Sequence, residues 1–167
     1  EFDMAYVTSG MVGVSLTELT AGTTTDGAGA KFALGTVVKG TDRTEWTYVQ
    51  AGAAIAIYDW VAIDENFQAV KGTKALADAG HQVGFAQVAF ADNDMGWVCT
   101  SGANITVNTL ASCAADVQLY TSGTAGSLDD TSASQTLIRG VVQVAAATAS
   151  AKARECLAVY PSATATP

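Results

Sequence analysis

Apolar residues in this chain come in short runs separated by polar, glycine-containing groups. Ile55 and Ile57 alternate with Ala54, Ala56 and Tyr58, and Val117 and Leu119 alternate with Asp116, Gln118 and Tyr120. A period of two is the signature of a strand with one buried face, so these four side chains are expected to point into a core. Strands are predicted at 33–38, 45–50, 53–58, 60–63, 83–90, 96–100, 104–107, 116–120, 137–145 and 156–160. They are rich in Val, Ile, Tyr, Trp and Phe and are bounded by turn formers such as Asp92-Asn93-Asp94, Thr121-Ser122-Gly123 and Asp129-Asp130. Gly84-Phe85-Ala86 and Val141-Val142 alternate less cleanly, as expected for strands covered on both faces. Two short helices are predicted, over 73–79 with Gly80 as the stop, and over 148–154. The expected fold is all-β: a single-domain β-sandwich or small β-barrel.

The runs also repeat. Leu34-Gly35-Thr36-Val37-Val38 is followed by Glu45-Trp46-Thr47-Tyr48-Val49-Gln50-Ala51-Gly52. Val83-Gly84-Phe85-Ala86-Gln87-Val88 is followed by Gly96-Trp97-Val98-Cys99-Thr100-Ser101-Gly102. Arg139-Gly140-Val141-Val142-Gln143-Val144 is followed by Glu155-Cys156-Leu157-Ala158-Val159-Tyr160-Pro161. Each pair reads as a β-hairpin, so the domain is expected to be built from repeated hairpins, with Gly35, Gly84 and Gly140 at equivalent places. Val61 to Gly84 and Val117 to Gly140 both span 23 residues.

Residues 1–31 differ from the rest. Thr20 to Ala30 is nearly all Thr, Gly and Ala, with neither helical nor strand period, and fixing its glycines is entropically costly. The segment reads as an extended N-terminal arm, either an ordinary flexible terminus or a segment that orders on a partner, followed by a β domain over 32–161 and a flexible C-terminal tail over 162–167.

A chain of 167 residues that is 49% hydrophobic can bury one good core, and nothing in it requires a second. Charged residues make up only 14%, with a formal net charge of −8. Nucleic acid is gripped through clustered Lys and Arg, whereas the eight basic residues here are scattered, so no nucleic-acid partner is expected. The same balance disfavours an anionic membrane surface, and no apolar run is long enough to span a bilayer. So few charges and so many small residues point to an exterior that is covered by neighbours.

No set of residues reads as an active site. His81 is the only histidine and has no Gly-x-Ser-x-Gly elbow to serve, so it reads as a loop residue. Asp64-Glu65, Asp92/Asp94 and Asp129-Asp130 are explained by turns, in which Asp bonds its own local backbone. Asp92-Asn93-Asp94-Met95-Gly96 starts like a calcium loop but places Gly96 where an oxygen ligand belongs and lacks the closing glutamate. Gly27-Ala28-Gly29-Ala30-Lys31 lacks the spacing of a phosphate cradle, and Asn104-Ile105-Thr106 matches a glycosylation acceptor inside a strand-like run. Cys99, Cys113 and Cys156 have no CxxC spacing; Cys99 and Cys156 read as small buried hydrophobes. No catalytic residue, cofactor or metal is therefore expected. Trp46, Trp60 and Trp97 fall at or beside strands and read as core; exposed side by side, they would instead make a sugar-binding platform.

Asp59-Trp60-Val61-Ala62-Ile63-Asp64, Val83-Gly84-Phe85-Ala86, Trp97-Val98-Cys99-Thr100-Ser101-Gly102 and Asp116-Val117-Gln118-Leu119-Tyr120, taken in order, resemble the small β-rich head proteins of tailed bacteriophages that decorate, or cement, the capsid. The Ala/Gly/Thr-rich arm is similar too, and the likeness covers residues 32–160 as an order of hairpins. It implies a non-enzymatic virion protein on the exterior of the capsid, bound to the major capsid protein, as a homo-trimer. Because each chain offers few charges for ion pairing, the subunit contacts are expected to be mostly apolar and backbone-mediated. The alternative is a phage fibre or adhesin-type module that binds a receptor or carbohydrate.

Overall fold

The computed structural model describes residues 13–24, 26–41, 43–147 and 152–164. The first part of the predicted arm, part of the second predicted helix (148–151) and the last part of the tail (165–167) lie outside the described residues. The fold is all-β. Its strands are β1 Val37–Lys39, β2 Glu45–Ala51, β3 Trp60–Ile63, β4 Gln68–Lys71, β5 Gln82–Ala86, β6 Met95–Thr109, β7 Val117–Thr121, β8 Leu128–Asp129, β9 Leu137–Gln143 and β10 Lys152–Thr164. One helix, α1 Lys74–Asp78, starts at Thr73, whose side chain accepts from the Leu76 amide.

The strand pairings close on themselves twice. β2 runs parallel to β4, β4 antiparallel to β3, β3 to β5, β5 to β6, and β6 back to β2. The second circuit repeats this order: β6 is parallel to β8, β8 antiparallel to β7, β7 to β9, β9 to β10, and β10 back to β6. The fifteen-residue β6 closes the first ring with its N-terminal half and opens the second with its C-terminal half. Closure removes most unpaired edges from both five-stranded rings.

This explains what repeats in the sequence. The three segment pairs are the antiparallel neighbours β1–β2, β5–β6 and β9–β10. The 23-residue spacings join β3 to β5 and β7 to β9, the same step of each ring, and Val61 is the direct cross-strand partner of Gly84. The three glycines are nonetheless not equivalent. Gly35 precedes β1 in a left-handed turn under Phe67, whereas Gly84 sits in the middle of β5 against Val61, Ile63 and Val98. Gly140 has φ +80° because β10 bulges opposite it, placing the Val159 carbonyl where a Cβ would stand.

The first ring is filled by Val49, Ala51, Val61, Ile63, Ala69, Ala86 and Val98, drawn from all five of its strands. The small residues suit so narrow a closure. The opposite face carries the large rings Trp46, Tyr48, Trp60, Phe85 and Trp97, continuous with Ile105, Val107, Leu119, Leu128, Ile138, Val141 and Cys156 of the second ring. The two units therefore share one apolar cluster.

Several expectations need correction. The run 53–58 is no strand: only Ile55 makes a bridge, to Phe90, and Ile57 is exposed because Tyr58 has φ +69° and turns the chain. Residues 152–154, predicted helical, begin β10, where pairing with β6 overrides local propensity. Predicted strands 96–100 and 104–107 are one strand, bulged at Gly102 and Asn104. β4 and the two-residue β8 were not anticipated. Residues 162–164, expected in the tail, pair with β9.

Residues 13–31 lie along the first ring. Thr20 exchanges both backbone hydrogen bonds with Met95 at 2.8 Å. Leu16 packs on the large-ring cluster and Leu19 on the interior of the first ring. The buried Gln50 side chain accepts from the Gly27 amide at 3.0 Å and donates to the Thr24 carbonyl at 2.6 Å. A segment poor in apolar residues is thus held by a bridge, two leucines and one glutamine.

Candidate functional site

The residues singled out in the sequence are scattered over the fold. His81 follows α1 and lines an open cleft of about 370 Å3 with Ile63, Asp64, Glu65 and Phe67. Asp64 Oδ1 already accepts from the Asn66 and Gln68 amides at 2.9 and 2.8 Å, which is turn chemistry. No hydrogen bond or ion pair joins the His81 ring to either acid among the described residues, and no serine, threonine or cysteine lines the cleft. The acids and the imidazole share a cleft without forming a nucleophile–base pair.

Asp92 and Asp94 flank a tight turn in which Asn93 has φ +66° and Asp94 Oδ2 accepts from the Ala91 amide at 2.8 Å. Asn104 is exposed at the β6 bulge, and Lys31 is ion-paired with Glu18.

Cys113, Asp129 and Asp130 come together, with one ligand-capable atom from each within 4.8 Å of the others. The group is internally satisfied: the Cys113 thiol donates to Asp129 Oδ1 at 3.3 Å, and Asp130 Oδ2 accepts from the Ala114 amide at 2.9 Å. Burial pushes the Cys113 thiol up to about 11, with the two carboxylates adding to the rise. Cys99 and Cys156 are fully buried and burial raises each to about 12, so neither is a nucleophile at neutral pH.

All three tryptophans are buried: Trp46 is 9% exposed and Trp60 and Trp97 are 1% exposed. Trp97 stacks edge-on with Tyr48 at 5.0 Å, and Phe32 covers both. A sugar platform built on these rings is therefore absent.

What sequence reading missed is a groove of about 490 Å3 where β10 leaves β6, lined by Arg43, Ser101, Ala103, Leu157, Val159 and Tyr160. Leu157, Val159 and Tyr160 are 40%, 53% and 71% exposed. The groove exists because three residues of β10 loop out between the pairs Ala158↔Val141 and Ser162↔Arg139, facing only Gly140. Tyr160 sits there at φ +44°, a costly conformation for an aromatic residue, and its amide reaches toward Ser101 Oγ at 3.4 Å. The signal in sequence was Gly140 opposite Val159-Tyr160-Pro161, which local periodicity does not register.

No protein-family model matches the chain, and no curated protein is a significant match.

Proposed function

We propose that this protein is a structural virion component that binds the outer surface of a phage capsid, against the major capsid protein, and stabilises the shell as a homo-trimer without catalysing a reaction. The observation that carries this reading is where the resemblance falls. The four segments similar to capsid decoration proteins are β3, β5, the N-terminal half of β6, and β7, which are ladder strands of the two fused rings. The likeness therefore attaches to the scaffold, in keeping with a mechanical role. A low charge density and an exposed apolar groove add support, since both suit a protein that works while covered by neighbours. Attachment at several points makes each later contact effectively intramolecular, so individually weak contacts can hold a shell under internal pressure.

The test compares particles carrying and lacking this chain. Labelling of intact heads should reach it from outside, and adding purified protein to bare heads should raise the temperature at which they burst. His81→Ala should rebind and protect as well as the wild type. Recovery of the chain inside the shell with the genome, or only at the tip of a tail fibre, overturns the proposal, as does an unchanged bursting temperature.

A further inference from the structure

The groove at β10 occupies a particular place in the repeated plan. In the first unit, β6 runs past the end of β2 at Ser101, and that overhang carries the whole second ring. In the second unit, β10 runs past the end of its pairing with β6 at Ala158, and the overhang 159–164 pairs only with β9 among the described residues. The side chains exposed there, Leu157, Val159 and Tyr160, are apolar. The fold therefore leaves uncovered, at its second junction, the kind of surface that it covers at its first.

Charge identifies the occupant. Arg43 lines the groove, and Arg139 lies on β9 next to Gly140, the residue that faces the β10 bulge. Lys39 stands further off, as the cross-strand partner of Glu45, which itself pairs with Ser101. Neither Arg43 nor Arg139 has an ion-pair partner among the described residues. At the other end of β2, the loops 24–27, 64–67 and 91–94 converge on Gln50 and Ala51 through the Gly27, Phe67 and Asp94 backbones. These loops carry Asp26, Asp64, Glu65, Asp92 and Asp94 and no Lys or Arg. β2 separates the two ends by roughly 20 Å at a rise of about 3.3 Å per residue. One chain thus presents a cation-rimmed apolar groove at one end of the first ring and an acidic surface at the other.

We infer that the groove at Arg43, Val159 and Tyr160 seats the acidic end of a second copy of this chain, in a head-to-tail contact. Such a heterologous interface either closes into a ring or runs on as a filament, and closure at three gives the trimer. The apolar side chains supply the buried area, and Arg43 with Arg139 fixes which end enters. This deepens the capsid reading and rests on it only for the copy number.

The experiment is sedimentation velocity on the isolated full chain, with no shell present. Wild type should form a closed trimer. Arg43→Glu and Tyr160→Ser should each raise the dissociation constant at least roughly tenfold, which corresponds to about 1.4 kcal/mol, while leaving the far-UV circular dichroism of the folded chain in place. Glu65→Lys with Asp92→Lys, both at exposed side chains beside the turn-bonded Asp64 and Asp94, should weaken assembly equally. Adding Arg43→Glu to that pair should restore it, because the charges are then exchanged rather than lost. A monomeric wild type, assembly indifferent to Arg43→Glu and Tyr160→Ser, or no recovery in the charge-exchanged chain overturns the inference. A monomer that still coats heads refutes this contact alone, whereas a trimer that ignores heads refutes the capsid reading alone.

Discussion

Asn108 Nδ2 donates to Asp59 Oδ1 at 3.0 Å across 49 residues of chain, and the contact ties the entry to β3 in the first ring to the part of β6 that belongs to the second. Asp59 is 4% exposed, and its other oxygen takes the Ala56 amide at 3.0 Å and Lys71 Nζ at 3.2 Å. Asn108 also donates to the Ile57 carbonyl, while its amide bonds Tyr58 O at 2.8 Å. Removing the buried carboxylate takes an acceptor from the Ala56 amide, Asn108 Nδ2 and Lys71 at once. Asp59→Ala should cost about 2–4 kcal/mol and Asn108→Ala about 1–2 kcal/mol in urea unfolding. The double variant should fall short of the sum by at least about 0.5 kcal/mol. Strict additivity would mean that the two side chains do not act together.

Gly72 lies flat against Trp60. A Cβ there would stand 2.2 Å from the indole carbons, while the Gly72 amide donates to Trp60 O at 2.9 Å and its carbonyl accepts from Gly126 at 2.9 Å. Neither the buried ring nor the doubly bonded backbone can retreat without losing contacts. Gly72→Ala should destabilise by about 1–3 kcal/mol. Gly123 has nothing within 4 Å of the same position, so Gly123→Ala should stay within about 0.5 kcal/mol of wild type. Thermal melts of the two variants side by side decide it.

β2, β3 and β7 sit within a residue of where the sequence places them: β7 through its period of two, β2 and β3, buried on both faces, through their Trp, Tyr, Val and Ile content between turn formers. β4 and β8 were illegible for the opposite reason. Gln68-Ala69-Val70-Lys71 and Leu128-Asp129 are too short and polar to show a period, and they exist because a parallel neighbour, β2 or β6, needs a partner to close each ring. Ring closure is a long-range property. So is the fate of Ile57, whose local alternation is sound but is overruled by the turn at Tyr58. The glycine match was half informative: Gly84 and Gly140 lie on equivalent strands, yet one packs inside a ring and the other faces a bulge. The groove was illegible to local periodicity, since it is formed by strands that part company, and its signal, Gly140 against Val159-Tyr160-Pro161, emerges only once β9 and β10 are paired.

The thiols give a pH test with a definite sign. Burial raises Cys99 and Cys156 from the ordinary value of 9.0 to about 12, so in this range the folded state holds protons that the unfolded state has released. Stability contributed by the neutral thiols is full below about pH 9 and is lost as the pH rises from there toward 12, by up to about 1.4 kcal/mol per pH unit for each thiol. Cys99→Ala should flatten the decline in urea-unfolding stability between pH 9 and 10.5 relative to wild type. Iodoacetamide at pH 8 should label neither residue until the chain is unfolded. Rapid labelling of the native protein would contradict the burial on which this rests.

The arm offers the sharpest contrast between composition and structure. Its Thr/Gly/Ala content supplies little apolar area to offset ordering costs of about 1–2 kcal/mol per residue, which favours disorder in the free protein. The described part is instead fastened at points: Thr20 to Met95 through two backbone bonds, Gly27 and Thr24 to Gln50, and Phe32 with its ring 5.3 Å from Tyr48 and 5.2 Å from Trp97. Gln50 matters most, because its buried amide stands in for a strand partner and would keep only its bond to the Asn93 carbonyl if the arm lifted. In hydrogen exchange on the isolated protein, the Thr20 and Gly27 amides should be protected at least about a hundredfold over exposed arm positions such as Gly29. Gln50→Ala should remove protection at Gly27 first. Phe32→Ala should cost about 1–3 kcal/mol by uncovering Tyr48 and Trp97. Fast exchange at both Thr20 and Gly27 in the free protein would show that the arm waits for a partner, and would return this segment to the reading its composition favours.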